Sequence, residues 1–136
     1  AVHGKFSEKS GEYRSFMKKD SAQNKVFSKN TRIDSSYKEA VTRYNVIDYC
    51  NGLSLVEIDL ITGRTHQIRV HFSDNNHPLL GDGKYSVNKS DREKGFKFQA
   101  LCSHKLRFSV PPDTIISYLN GKVITSEKPD FLKLFN

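Results

Sequence analysis

The sequence has no tryptophan, one methionine and only two cysteines, and the shortage of cysteine argues against one class of protein. Cys50 and Cys102 are far apart and form no CxxC pair, which argues against a disulfide-rich secreted scaffold. We therefore expect two reduced thiols in a cytoplasmic protein. No apolar run approaches the roughly 20 residues that a transmembrane helix needs, and no signal peptide is recognisable. We expect no membrane partner.

Positive charge is what the sequence has in excess. Its 136 residues contain 22 Lys or Arg against 15 Asp or Glu, a formal net charge of +7. An excess of positive charge is evidence about binding partners rather than about the fold. It favours nucleic acid, with an anionic membrane surface as the alternative. The length suits one domain with a modest core.

Alternating side chains predict antiparallel strands in the middle of the chain. Residues 37–49 alternate between two faces, and residues 53–61 supply a return strand. Asn51-Gly52 between them is the pair that tight hairpin turns prefer. Residues 99–110 alternate again before Pro111-Pro112. With short helices between them, these strands predict an α+β fold with a mainly antiparallel sheet.

Polar stretches flank these strands. Residues 7–36 predict an exposed, mobile loop, with room for a short hairpin around residues 13–17. Its lysines are interpreted as a solvated face, with contact to RNA phosphates as the alternative. Residues 86–97 predict a second surface loop. Residues 114–119 predict a short helix or strand, and residues 131–135 predict a terminal helical turn.

The most unusual segment is residues 62–72, TGRTHQIRVHF, which follows a strand. Thr65 is a plausible N-cap for a helix over residues 66–73 that ends before His77-Pro78. A strand, a glycine turn and a helix start together favour an anion site. Arg64 would lie beside the free N–H groups, and Arg69 would follow one turn later. An Arg facing the core of so short a helix indicates a carboxylate or phosphate partner.

Other interpretations of this segment remain open from the residues alone. Both arginines could be solvated. A zinc site is disfavoured because His66 and His71 are five residues apart and lack an obvious third ligand. A metal nuclease that uses these histidines with Asp74 or Asp82 is a further alternative.

Residues 62–72 resemble the signature near the end of the catalytic domain of RluA-type RNA pseudouridine synthases. Other family segments have counterparts in the same order: residues 1–4, 38–42 (KEAVT), 55–60, 77–85 (HPLLGDGKY) and 100–108 (ALCSHKLRF). The sequence departs from the family pattern where Cys102-Ser103 replaces His-Ala, and where no His precedes Pro111. The resemblance implies that residues 1–136 are the C-terminal portion of one pseudouridine synthase catalytic domain.

The resemblance implies an isomerisation of uridine to pseudouridine in ribosomal or transfer RNA, with no metal, nucleotide or organic cofactor. It implies that Arg69 pairs with the nucleophilic Asp. The family's H-R-L-D segment, which carries that Asp, does not occur in these 136 residues. Its look-alike Arg32-Ile33-Asp34 follows the wrong segment, so Asp34 is interpreted as a loop residue. The chain alone is therefore expected to be inactive. The alternative is a non-catalytic RNA-binding module.

Two further sets of residues complete the predicted site. Candidate RNA contacts are Arg64, His66, Lys84, Lys105 and Arg107. Candidate walls of the uridine pocket are Ile68 and Leu80, with core packing as the alternative role for both.

Overall fold

The main sheet of this computed structural model, which describes residues 1–135, has five antiparallel strands. These are β1 (Val2–His3), β2 (Ser10–Asp20), β3 (Lys25–Lys29), β4 (Lys38–Cys50) and β5 (Leu53–Leu60). Their order across the sheet is β1-β5-β4-β2-β3, and every neighbouring pair is antiparallel. The predicted α+β architecture with a mainly antiparallel sheet is confirmed.

The hairpin of β4 and β5 is confirmed, including its turn. Asn51 and Gly52 both have positive φ, at 51° and 81°. Left-handed backbone at both central positions is what a tight turn between twisted strands requires. The pairing runs from Thr42 opposite Leu60 to Cys50 opposite Leu53, with a bulge between Val46 and Asp48.

The prediction of a mobile loop over residues 7–36 is wrong for most of that segment, because β2 and β3 lie within it. β2 is an interior strand, bonded to β4 on one side and to β3 on the other. Asp20 shapes the turn between β2 and β3 by accepting hydrogen bonds from the N–H groups of Ala22 and Gln23. Polar residues hide this strand from sequence patterns, since its inward side includes Ser15.

The helix α1 (Gln67–Asp74) packs against one face of the sheet, in contact with β2, β3 and β4. Phe72 is completely buried beside Val2 and Leu79. A second cluster consists of Met17, Val26, Ala40 and Val70, with Tyr85 against it. Burying a side chain such as Phe72 contributes about 1.5–3 kcal/mol. These two clusters hold α1, and with it the signature segment, at a fixed place on the sheet.

The ends of α1 differ in how well they were predicted. Thr65 does not cap the helix: His66 is the N-cap, with φ 53°, and it makes no side-chain capping bond. The predicted stop before Pro78 is confirmed, since the helix ends at Asp74 and Asn76 adopts φ 62°.

The C-terminal third differs from the prediction in both directions. A short helix, α2 (Lys89–Glu93), lies in the predicted surface loop. The strand expected over residues 99–110 shrinks to β6 (Lys105–Arg107), which pairs with β7 (Val123–Thr125) in a separate two-stranded sheet. Two 3-10 helical turns, Ser117–Leu119 and Asp130–Phe135, lie where short elements were predicted. Within the described residues, no helix has the length and apolarity to cross a bilayer.

Candidate active site

The turn before α1 is fixed by one side-chain amide, that of Gln67. Its oxygen accepts hydrogen bonds from Thr62 Oγ1 (2.8 Å) and from the Arg64 N–H (2.9 Å). Its Nε2 donates to the carbonyl of Val41 (3.0 Å) and to Thr42 Oγ1 (2.9 Å). Gln67 is 3% exposed, so an amide with four partners ties the signature segment to β4 without leaving a buried polar atom unpaired.

Arg69 and Asp82 form a bidentate ion pair at the centre of the site. Arg69 Nε donates to Oδ2 and Nη2 donates to Oδ1 of Asp82, both at 2.7 Å. The carboxylate side chain is 1% exposed and that of the guanidinium is 15% exposed. A planar fork of two donors fits a carboxylate in one orientation only. The pair therefore fixes the guanidinium plane at the surface of the fold.

The loop that follows Asp82 turns back on the same carboxylate. Oδ1 also accepts the N–H groups of Lys84 (2.9 Å) and Tyr85 (3.2 Å). Burial raises the pKa of the Asp82 carboxyl, but the bonds from Arg69 and from these two N–H groups outweigh it, so the net pKa is lowered. Asp82 is ionised at neutral pH and fully occupied with holding Arg69 and its own loop.

Tyr85 lies between Arg69, β3 and the start of α1. The Arg69 guanidinium lies 5.2 Å from the centre of the Tyr85 ring, within cation–π range. The Tyr85 hydroxyl accepts the Val26 N–H at 2.9 Å and lies 2.8 Å from His66 Nδ1. Burial raises the pKa of this hydroxyl, so it keeps its proton. The hydroxyl can donate its own proton to His66 Nδ1 while it accepts from Val26.

His66 is neutral in this arrangement. Desolvation, followed by the positive charges of Arg69 and Lys84, lowers the pKa of its imidazole. An imidazole that accepts the Tyr85 proton at Nδ1 carries its own proton on Nε2. The site therefore presents a neutral imidazole beside a fixed guanidinium.

Comparison with known proteins shows the family of this chain. A family model described as RNA pseudouridylate synthase matches residues 1–74, which is more than half of the chain. This chain belongs to that family. The matched segment includes Arg64, His66 and Arg69.

Named relatives agree with this assignment. Ribosomal large subunit pseudouridine synthase D of Blochmanniella floridana is 44% identical over 91 residues, covering 65% of this chain and 26% of the relative. The protein of the same name from Vibrio parahaemolyticus is 43% identical over 84 residues, covering 54% of this chain and 26% of the relative. The chain thus spans about a quarter of the length of these relatives.

A solved structure supports the fold. Human RNA pseudouridylate synthase domain containing 1 superposes with a TM-score of 0.57 at 26% identity, covering 68% of this chain and 40% of the human one. The antiparallel sheet with α1 on one face is therefore a pseudouridine synthase fold.

Within this pseudouridine synthase fold, the predicted site residues divide into two groups. Arg64, His66, Arg69 and Lys84 gather around α1 and the 82–85 loop, and the Arg64 Nε donates to the Glu39 carbonyl at 2.8 Å. Lys105 and Arg107 are exposed on β6, in the separate sheet, and the structure does not bring them to α1. Their role as RNA contacts stays a prediction.

The predicted pocket walls are placed mainly in the core. Leu80 is 2% exposed, which matches core packing, the alternative that the sequence left open. Ile68 is partly buried against the cluster of Val2, Phe72 and Leu79.

Sequence reasoning missed the partners of Arg69. It left Arg69 without a carboxylate in this chain, whereas the structure supplies Asp82. A second carboxylate for Arg69 stays a prediction. No local signal in the sequence marks this pairing, because the path of the loop between Arg69 and Asp82 decides it.

The metal-nuclease alternative gains no support from the geometry. His71 is 2% exposed, and its ring nitrogens lie 2.8 Å from Thr42 Oγ1 and 2.9 Å from Ser15 Oγ. Asp82 is committed to Arg69. Across residues 1–135, no group of three or more His, Cys, Asp or Glu converges on a metal position.

Proposed function

We propose that this chain supplies the Arg69 side of the active site of an RNA pseudouridine synthase. The enzyme would convert uridine to pseudouridine in ribosomal or transfer RNA, and ribosomal RNA is favoured because both named relatives are ribosomal large subunit pseudouridine synthases. The observation that carries the proposal is the bidentate pair of Arg69 with Asp82. This pair fixes the orientation of the guanidinium and leaves some of its N–H donors unused.

The unused donors are at the outer edge of Arg69. Asp82 occupies Nε and one proton of Nη2, and among residues 1–135 no hydrogen bond uses Nη1. A guanidinium has five N–H donors, so three remain. These suit a second carboxylate, which they would keep ionised and oriented. We assign that place to the nucleophilic Asp of the family, on a segment outside these 136 residues.

In the proposed reaction, the uridine leaves its stack and enters the site. The nucleophilic Asp attacks the sugar or the base, and the glycosidic C–N bond breaks. The uracil turns and rejoins the sugar through C5, and the bond to the Asp breaks so that the carboxylate is restored. The proton on C5 is released to solvent, and N1 takes up a proton. The residues of this chain hold the attacking carboxylate in place, and none of these steps requires a cofactor.

Tritium release from RNA labelled at uridine C5 tests this function. We expect the full-length gene product to release tritium, and Arg69→Ala to abolish release, because the nucleophile loses its counter-ion. Arg69→Lys should also lose most activity, since an ammonium cannot hold two carboxylates bidentately. The matched control is Arg14→Ala, which removes an exposed Arg from surface pairs with Glu12 and Glu39.

The outcomes separate the alternatives. Release lost with Arg69→Ala but kept with Arg14→Ala supports the proposal. Release by the 136-residue chain alone would contradict our placement of the nucleophile. No release from ribosomal or transfer RNA by the full-length protein would favour a non-catalytic RNA-binding module, which the net charge of +7 also allows.

We propose a cytoplasmic location for the same reason that we expected one from the sequence. Both Cys50 and Cys102 are free thiols. Free thiols are typical of reducing compartments.

A further inference from the structure

An open cleft lies between the β2–β3 hairpin and the turn that precedes α1. Its volume is about 310 Å³. Met17 and Val26, 3% and 5% exposed, are its apolar lining residues. Its cationic lining residues are Lys18, Lys19, Lys38 and Arg64.

Strand alternation indicates which of these cations face the cleft. In the pairing of the strands, Lys19 lies opposite Val26 and Lys38 lies opposite Met17, so both lysines share the face that carries α1. Both are exposed. Lys18 belongs to the other face of β2, and its Nζ lies 5.6 Å from the centre of the Tyr37 ring. The cations that face the cleft are therefore Lys19, Lys38 and Arg64.

Arg64 is held ready for a ligand. Its Nε donates to the Glu39 carbonyl and its backbone N–H donates to Gln67, which leaves the Nη groups for an anion. The remaining lining residues are the hydroxyl-bearing Ser36 and Thr65. Of the described residues, those that line the cleft include no Asp or Glu, so the charge of the lining is positive throughout.

The cleft is adjacent to the candidate active site. Val26 in its lining donates its N–H to the Tyr85 hydroxyl, and the Tyr85 ring packs on Arg69. Lys19 is also near enough to His66 for its charge to act on the imidazole. One side chain, Tyr85, thus separates the cleft from the guanidinium.

We propose that this cleft binds the phosphodiester backbone of the RNA strand next to the uridine that reacts at Arg69. The proposal rests on the proposed function. Among the described residues that line the cleft, none is aromatic, so it offers no stacking platform for a base. Cations and hydroxyls recognise phosphate rather than sequence. The cleft should therefore contribute affinity that is strong at low salt and equal for every sequence.

The test compares two double variants of the full-length protein that remove the same charge from the same region. Lys19→Gln with Lys38→Gln neutralises the cleft. Lys25→Gln with Lys29→Gln is the matched control, because both lysines are exposed on β3 and alternate with Val26, on the opposite face. Binding of two fluorescent single-stranded RNAs of unrelated sequence is measured by anisotropy from about 50 to about 200 mM salt.

We expect the cleft variant to bind both RNAs about tenfold more weakly at low salt. The slope of log K against log salt should become shallower by about 1.4, the value for two lost phosphate contacts on a single strand. The control should keep its slope within about a third of that change. Equal losses in both variants would overturn the proposal, as would a loss confined to one RNA sequence.

Tritium release by the unmutated protein keeps the two proposals separable. If it releases tritium but both double variants bind RNA alike, the cleft proposal fails and the proposed function stands. If it releases no tritium but the cleft variant alone binds weakly, the proposed function fails, and the cleft stands as a binding site for RNA backbone without the adjacent reaction.

Discussion

Asp82 is the residue on which the site depends most directly. Both of its oxygens are used, and it joins Arg69 on α1 to the backbone of the loop that follows it. Its low net pKa means that the folded protein holds it ionised. The ion pair therefore contributes to stability as well as to orientation.

Replacing Asp82 by Asn should destabilise the protein by about 3 kcal/mol, because it leaves a largely buried guanidinium without its counter-ion. The measurement is the free energy of unfolding in urea. Asp59→Asn on β5 is the control: the side chain is exposed, and we expect a change of less than about 0.5 kcal/mol. Similar losses in both variants would contradict the assigned role.

The Asp82 pair should also depend on pH in a defined direction. A carboxyl whose pKa is lower in the folded state than in the unfolded chain stabilises the fold above its ordinary pKa, and this contribution is lost as the pH falls through the folded value. We expect the stability difference between the unmutated protein and Asp82→Asn to shrink as the pH falls below about 3.9. A difference that stays constant over that range would argue against an ionised Asp82.

His71 should lower stability in acid in the same direction as Asp82, but over a higher range of pH. Desolvation lowers its pKa from 6.5 to about 4, so the unfolded chain takes up its proton more readily than the folded protein does. Stability should therefore fall by up to about 3 kcal/mol as the pH drops from about 6.5 to about 4. His71→Gln should remove this slope, whereas the exposed His104→Gln should keep it. Unfolding in urea at several pH values measures both.

At the scale of the element, the loop that carries Asp82 is shaped by a glycine. Gly81 has φ +79°, and a Cβ there would lie 2.2 Å from the carbonyl oxygen of Phe98. The Gly81 N–H also donates to the buried Asp91 carboxylate. The position therefore allows no side chain, for reasons of both backbone conformation and space.

Gly81→Ala should lower the free energy of unfolding by about 3 kcal/mol, since it combines left-handed strain with a clash against backbone. Gly95→Ala separates the two causes, because Gly95 has φ +95° but nothing within 4 Å of its Cβ position. It should cost about 1 kcal/mol. Thermal or urea unfolding of the pair measures the difference, and equal costs would show that the contact with Phe98 is unimportant.

The elements also show what local sequence can and cannot predict. The β4–β5 hairpin was predictable because its alternation and its Asn51-Gly52 turn agree. β2 was not, because Ser15 and Lys19 on its inner side resemble loop residues, and only its neighbours β3 and β4 make it a strand. Residues 99–110 show the reverse case: the alternation is present, but a partner exists only for residues 105–107.

At the scale of the whole molecule, the resemblance predicted the family, and the structure added the connections within the site. The family resemblance indicated Arg69, but not its bond to Asp82 or its contact with Tyr85, because the path of the intervening loop decides both. The excess of positive charge predicted a nucleic-acid partner, but it did not indicate where on the protein that partner binds. The folded hairpin places Lys19 and Lys38 beside Arg64, a proximity that depends on strand pairing.

The outer edge of β3 affects whether two copies of the protein associate through their sheets. Unpaired strand edges are templates on which other strands can add. Lys25 and Lys29 lie at the two ends of this five-residue edge, with Phe27 between them. If two copies met edge to edge in antiparallel fashion around Phe27, each Lys25 would lie opposite the Lys29 of the other copy. Four facing ammonium groups would oppose that pairing, so the same strand that borders the cleft discourages aggregation along its open side.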